Sequence, residues 1–232
     1  MMSLRRRIAA GVAALSLSAS VAMAANPVYF RYTGHPAGAP TVGGVVVGPY
    51  FGQFKNGPTV DITCVDWYNR ASSSYYKAWL TKLDGSEPLT YTRFGALANA
   101  LDRYQRAAYL ASWFAAPGIS ASDTKEIHKS IWALFSPNRS GQAGGAPAPS
   151  TNYWLDLAQA NYRSFDYSNV YVITGVKWDR RRGDWKVDDE QEFLTGSPES
   201  VAPEPASMAL LGTGLAGVAA ARRRKKKEQA EA

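Results

Sequence analysis

The hydrophobic period of this chain changes twice, and that change limits the folds open to it. Early on, Val60, Ile62 and Cys64 alternate with Thr59, Asp61 and Thr63, the period of a half-buried strand. Cys64 thereby falls on the inward face. Val28 to Thr33 has strand composition as well. Val45-Val46-Val47 reads as a short buried run, broken at Gly48-Pro49. Ser74 to Lys82 alternates, with Tyr75 and Trp79 opposite Tyr76 and Leu80. From Arg93 the period becomes 3.6: Phe94, Leu97, Leu101, Tyr104, Ala108 and Ala111 share one helical face, ended by Pro117-Gly118. Asp123 with Glu126 resembles a capping box and opens a second helix. Its stripe is Ile127, Ile131, Leu134 and Phe135, stopped by Pro137. Residues 138–150 are rich in Gly, Ala, Pro and Ser and read as loop. A third helix follows, with Trp154, Leu155, Ala158 and Tyr162 on one side. Alternation returns over Asn169 to Trp178. Arg180 to Gly183 reads as a turn, and Asp184 to Leu194 as the antiparallel partner. The expectation is one α+β domain: an antiparallel sheet, partial barrel or sandwich, with a helical segment inserted over about residues 93–162.

The two ends have a different composition. Arg5-Arg6-Arg7 precedes the apolar, small-residue stretch from Ile8 to Val21, and Ala22-Met23-Ala24 has the A-x-A form of a signal-peptidase site. Residues 1–24 read as a signal peptide cleaved between Ala24 and Ala25. The exported domain then covers 25–196, and 197–202 is a linker. At the other end Pro203-Glu204-Pro205 leads into Ala206 to Ala221, 16 residues without a charge. Six cations follow: Arg222, Arg223, Arg224, Lys225, Lys226 and Lys227. As a helix this apolar run would span roughly 24 Å, short of the ~20 residues that cross a bilayer comfortably. The cations would hold its far end on the cytoplasmic side. Residues 228–232 remain as a tail.

That order of motif, short membrane helix and basic tail, over 203–227, resembles the PEP-CTERM sorting signal of bacterial exported proteins. The resemblance implies processing by an exosortase-type enzyme as well as signal peptidase. It also implies transient or anchored contact with the membrane, and delivery to the cell envelope, surface or extracellular matrix. Proteins of this group are associated with exopolysaccharide and biofilm, a context that the resemblance implies here. The expected role is that of a non-enzymatic cell-surface or extracellular-matrix protein, adhesive or exopolysaccharide-associated.

The terminal signals also account for the charge. The whole chain carries +7 from 26 Lys+Arg and 19 Asp+Glu. Between Asn26 and Ser200 there are 17 cations and 16 acids, so the domain is near neutral and offers no basic surface for nucleic acid. There is one cysteine, Cys64, and there are two histidines, His35 and His128. One cysteine makes no internal disulfide, and these residues do not assemble a zinc-type ligand set. No metal and no cofactor is expected.

The chemistry centres on Cys64. Thr63-Cys64-Val65-Asp66-Trp67 on a strand and His128-Lys129-Ser130-Ile131-Trp132 on a helix are similar to the pattern of thioester adhesion domains. In that resemblance a strand cysteine is followed by a helix carrying Gln-x-Ala-Ile-Trp, and Cys and Gln join as an internal thioester. Cys64, Ile131 and Trp132 match. His128 stands at the Gln position and Ser130 at the Ala. Histidine supplies no acyl carbon, so the aligned pair would lack the bond. The alternative is a thiolate–imidazolium pair of Cys64 and His128, serving an enzyme or a covalent adhesin. Asp184, Asp188, Asp189, Glu190 and Glu192, beside Arg180-Arg181-Arg182, read as a solvated hairpin without calcium-loop spacing. Trp67, Tyr68, Tyr75, Tyr76 and Trp79 read as packing residues rather than sugar platforms.

Overall fold

The computed structural model describes residues 27–135 and 149–196. The expected signal peptide, the linker, the sorting signal and most of the 138–150 loop lie outside the described residues. Among those described, no helix is long and apolar enough to cross a membrane. In chain order the elements are β1 (Val28–Gly34), β2 (Thr41–Val42), β3 (Val45–Val46), β4 (Tyr50–Phe54), β5 (Thr59–Cys64), β6 (Tyr76–Lys82), α1 (Ala100–Ser112), α2 (Ala121–Phe135), α3 (Pro149–Asn161), β7 (Val170–Asp179), β8 (Asp184–Val187) and β9 (Phe193–Gly196).

Six strands close on themselves in the order β6-β1-β4-β5-β9-β7, and β7 pairs back to β6. Every neighbouring pair is antiparallel. The expected sheet or partial barrel is therefore a closed barrel, which leaves these strands no free edge. The interior holds Phe30, Tyr50, Phe54, Ile62, Cys64, Ala78, Ile173 and Phe193, one alternating face of each strand. Gly52 also faces inward, and a Cβ there would lie 2.3 Å from Cζ of Phe30. Glycine at that position makes room for the Phe30 ring, which packs 5.0 Å from Phe54 and 6.1 Å from Phe193.

The helices cover the outer face. Val172 and Leu194, on the opposite side of β7 and β9 from Ile173 and Phe193, pack against Tyr104, Leu110, Ile131, Leu134, Trp154 and Ala158. Sequence periodicity opens the first helix at Arg93, whereas α1 begins at Ala100 after Asn99 in the left-handed region (φ 56°). Tertiary bonds pull residues 93–99 out of the helix. Arg93 N–H donates to the Glu192 carboxylate at 2.7 Å, and Phe94 N–H donates to the Tyr104 hydroxyl at 3.1 Å. The second helix opens earlier than the Asp123–Glu126 pair suggests. Ser120 is the capping residue: its Oγ accepts from Asp123 N–H, and Asp123 Oδ2 accepts from Ser120 N–H, both at 3.1 Å. Val45 is exposed rather than part of a buried run, because β2 and β3 form a hairpin through Gly43 (φ 55°) and Gly44 (φ 79°).

The partner of β7 is broken. Val176 pairs with Val187 in β8, while Ile173 pairs with Phe193 in β9. Three steps along β7 thus face six along the returning chain, and residues 188–192 bulge out between. Gly175 permits this close approach, since a Cβ there would lie 2.7 Å from Cβ of Glu190.

Gly52→Ala should therefore destabilise the full chain by about 1–3 kcal/mol in urea denaturation. Gly196→Ala, which meets nothing within 4 Å, should change stability by less than about 0.5 kcal/mol.

Candidate functional site

Cys64 ends β5 with its sulfur inside the barrel and is fully buried. The strand turns away at once, so the Asp66 carbonyl folds back over the thiol, and Cys64 Sγ donates to it at 3.0 Å. The bulge between β8 and β9 brings in a third group. Gln191 Nε2 lies 2.9 Å from Cys64 Sγ and donates to the same Asp66 carbonyl at 2.9 Å. Sulfur, amide nitrogen and carbonyl oxygen form a nearly equilateral triangle. Because Asp66 O is an acceptor, the carboxamide must present its nitrogen there. The carbon that carries that nitrogen is thus one bond from an atom already in contact with the sulfur.

The bulge is fastened by Arg93. Its Nη2 donates to the carbonyls of Asp188 and Glu190, the latter at 2.7 Å, and its Nε pairs with Asp66 Oδ2 at 2.9 Å. Asp66 is fully buried, and also accepts from Tyr68 N–H at 2.9 Å and from the Asn69 side chain. One guanidinium therefore ties the loop after Cys64 to the segment that carries Gln191. Breaking such a buried pair by removing one partner costs about 3–5 kcal/mol.

His128 reaches the same place from α2. Gly48 N–H donates to its Nδ1 at 2.8 Å, so Nε2 carries the proton and donates to the Cys64 carbonyl at 3.0 Å. Gly48 adopts φ 110° and its Cβ position lies 3.1 Å from the Thr124 side chain, which suits glycine alone. The structure does bring Cys64 and His128 together, but through the main chain. Both imidazole nitrogens are occupied by backbone groups. Burial pulls the His128 pKa down to about 3, keeping the ring neutral. Burial likewise pushes the Cys64 thiol well above its usual value, a rise that the nearby Asp66 and Glu192 charges add to. A thiolate–imidazolium pair has no support in this environment.

Glu192 follows Gln191 and is fully buried. Thr174 Oγ1 donates to it at 2.6 Å, as do Arg93 N–H and the Tyr104 hydroxyl. Burial pushes its pKa up to about 7, against the opposing pull of those three bonds. An apolar cleft of about 420 Å³ lies elsewhere, lined by Thr63, Ala111, Phe114, Phe165, Leu194 and Thr195 among others. Thr63 and Leu194 face away from the barrel interior that holds Cys64 and Phe193, so this cleft does not open on the sulfur.

The remaining expected sites are placed as follows. Trp67 packs 4.4 Å from Trp132, Trp79 packs 4.5 Å from Tyr91, and Tyr76 packs edge-on to Phe30. Tyr68 and Tyr75 are exposed, and Arg31 lies over the Tyr75 ring. The hairpin charges form Lys177–Asp188 and Lys186–Asp179 pairs. Pro203-Glu204-Pro205 and the segments after it lie outside the described residues. Sequence reasoning missed Gln191, Arg93 and the structural use of Asp66. The available signal was the polar run Asp188-Asp189-Glu190-Gln191-Glu192, which interrupts the alternation of a buried strand and so marks a bulge.

The family model described as the PEP-CTERM protein-sorting motif matches residues 201–225. This chain thus carries that sorting signal, which implies export to the cell envelope or surface and handling by an exosortase-type enzyme. No curated protein and no solved structure matches the chain.

The Glu192 carboxyl sets a pH dependence. Its folded pKa of about 7 lies above the ordinary glutamate value, so the folded protein holds an extra proton between the two. The contribution of this carboxyl to stability should be fully present below the ordinary value and be lost as pH rises through 7, by about 3 kcal/mol in all. Buried His128, held at a pKa of about 3, contributes the opposite slope below about pH 6.5. The Glu192 contribution should therefore appear as the difference between wild type and Glu192→Gln in urea denaturation from pH 5 to 8, wild type losing stability relative to the variant as pH rises.

Proposed function

We propose that the domain is a surface-displayed covalent adhesin in which Cys64 and Gln191 join as an internal thioester. The observation that carries this reading is the 2.9 Å contact between Cys64 Sγ and Gln191 Nε2, with both held on one carbonyl oxygen. The nitrogen in that contact is bonded to Cδ, the atom the sulfur would attack, so the two reacting groups are already held side by side. The sorting signal supports the location, since a single-use attachment group belongs on an exposed surface. The resemblance of the Cys64 and Ile131-Trp132 segments to thioester adhesion domains supports the chemistry. The acyl carbon that His128 lacks is available from Gln191, on the bulge before β9.

The chemistry balances without a cofactor. Sulfur bonds to Cδ of Gln191, and the carbonyl electron pair moves onto Oε1. The thiol proton passes to the departing nitrogen, the Cδ–Nε2 bond breaks, and ammonia leaves. A target amine then attacks the same carbon, an amide forms, and Cys64 returns as a thiol. Each Gln191 is used once, so the protein is a reagent rather than an enzyme. Burial of the sulfur keeps water from the bond, while partly exposed Gln191 gives an amine its approach. Suitable amines are the lysine side chains of surface proteins and the amino sugars of an exopolysaccharide matrix.

The test is intact mass of the full chain. Wild type should weigh one ammonia less than its sequence, and Cys64→Ala and Gln191→Ala should each show full mass. Methylamine should add to wild type and release one titratable thiol. A wild-type mass equal to the sequence mass, with no methylamine adduct, would overturn the reading.

A further inference from the structure

One donor beside this site is buried with neither a hydrogen bond nor an ion pair, whereas Arg93 Nε at least faces the Asp66 carboxylate. Trp132 is 2 % exposed, and its indole Nε1 has no hydrogen-bond acceptor. Buried indole N–H groups ordinarily find a partner, and leaving one without is costly. Nothing about the position is loose. Trp132 lies one turn after His128 on α2, and its ring stands 4.4 Å from the His128 ring and 4.4 Å from Trp67. Val42 and Val47 pack against it from the β2–β3 side. His128 in turn is bonded to the Cys64 carbonyl, so this face of α2 is fixed against the end of β5. The indole nitrogen is near enough to the sulfur to favour its ionised form, without making a bond of ordinary geometry.

The other polar groups around the sulfur are engaged. Asp66 O accepts from both the thiol and the carboxamide, both His128 nitrogens meet backbone, and the Tyr50 hydroxyl donates to Val46 O. The Tyr76 hydroxyl is unpartnered as well, but its ring packs on Phe30 and its acidity responds to Glu190, whereas it is the Trp132 indole that acts on the sulfur. We propose that Trp132 Nε1–H is the donor for the Gln191 acyl oxygen, stabilising the tetrahedral intermediate and then polarising the thioester carbonyl toward an amine. This inference rests on the thioester reading. As sulfur bonds to Cδ, the carbonyl pair collects on Oε1, and a fixed N–H in a dry site stabilises that charge at no reorganisation cost. The pair then returns as ammonia leaves, and the same donor serves when the amine attacks.

The experiment follows ammonia loss and methylamine uptake by intact mass in the full chain, for wild type, Trp132→Phe and Trp67→Phe. Phenylalanine keeps an aromatic ring at 132 and removes the N–H. Trp132→Phe should slow both steps by about 10²-fold, while Trp67→Phe, altered in the same aromatic cluster, should keep wild-type rates. Equal rates in wild type and Trp132→Phe would overturn the role of Trp132 and leave the thioester standing. Absence of ammonia loss in wild type would instead sink the thioester itself. A second measurement covers the case of a misfolded variant. The indole N–H resonance of Trp132 should lie downfield in thioester-bearing wild type relative to Gln191→Ala, which keeps the sulfur and removes the acyl oxygen, and an unchanged resonance would overturn the proposal.

Discussion

The pairing of β6 with β7 closes the barrel, and the other features are arranged around that closure. Five register pairs, from Ala78↔Gly175 to Lys82↔Tyr171, join segments separated by the whole helical region. Closure takes up the free edges of β6 and β7 and fixes which residues face inward. It also sets a narrow interior, in which Phe30 fits only because position 52 has no side chain. The helices then have one available surface, the outer face carrying Val172 and Leu194. A strand buried on both faces results, which is why β7 carries large apolar residues in succession at Val172 and Ile173.

Once β7 is saturated on one side by β6, its other partner has to accommodate the mismatch between the β8 hairpin and β9. The bulge at 188–192 absorbs it, and the polar core of the molecule assembles there. Arg93 joins Asp66 to the bulge carbonyls, and Glu192 collects Thr174, Tyr104 and the Arg93 amide. Such groups are costly to bury and are retained where they fix a geometry. What they fix here is the contact between a neutral thiol and a carboxamide. A reactive thiolate needs the opposite conditions, partial exposure beside a cation. Cys64 is enclosed, and its His128 neighbour is uncharged.

Much of the architecture was legible in local pattern. The alternation of Val60, Ile62 and Cys64 placed Cys64 inward, and the 3.6-residue stripe of Ile127, Ile131, Leu134 and Phe135 gave α2. These succeeded because each face of a strand or helix meets one environment along its length. The start of α1 was misread because Phe94 and Leu97 fit the helical period, while the Arg93 and Phe94 amides are claimed by Glu192 and Tyr104, distant in sequence. Gln191 went unnoticed because a polar run near a hairpin looks like a solvated surface. Its partner is separated from it by 127 positions, and no local period links them.

The sequence by itself determined the address and the composition of the layers. The sorting motif, the near-neutral domain and the single cysteine are properties of order along the chain, and need no fold to be read. Tertiary structure decided the chemistry. Whether Cys64 meets an imidazole nitrogen or a carboxamide depends on barrel closure, on the bulge that closure forces, and on the backbone groups that occupy His128. Those are long-range contacts, set by which surfaces remain available after the core has packed, and residue order does not encode them locally.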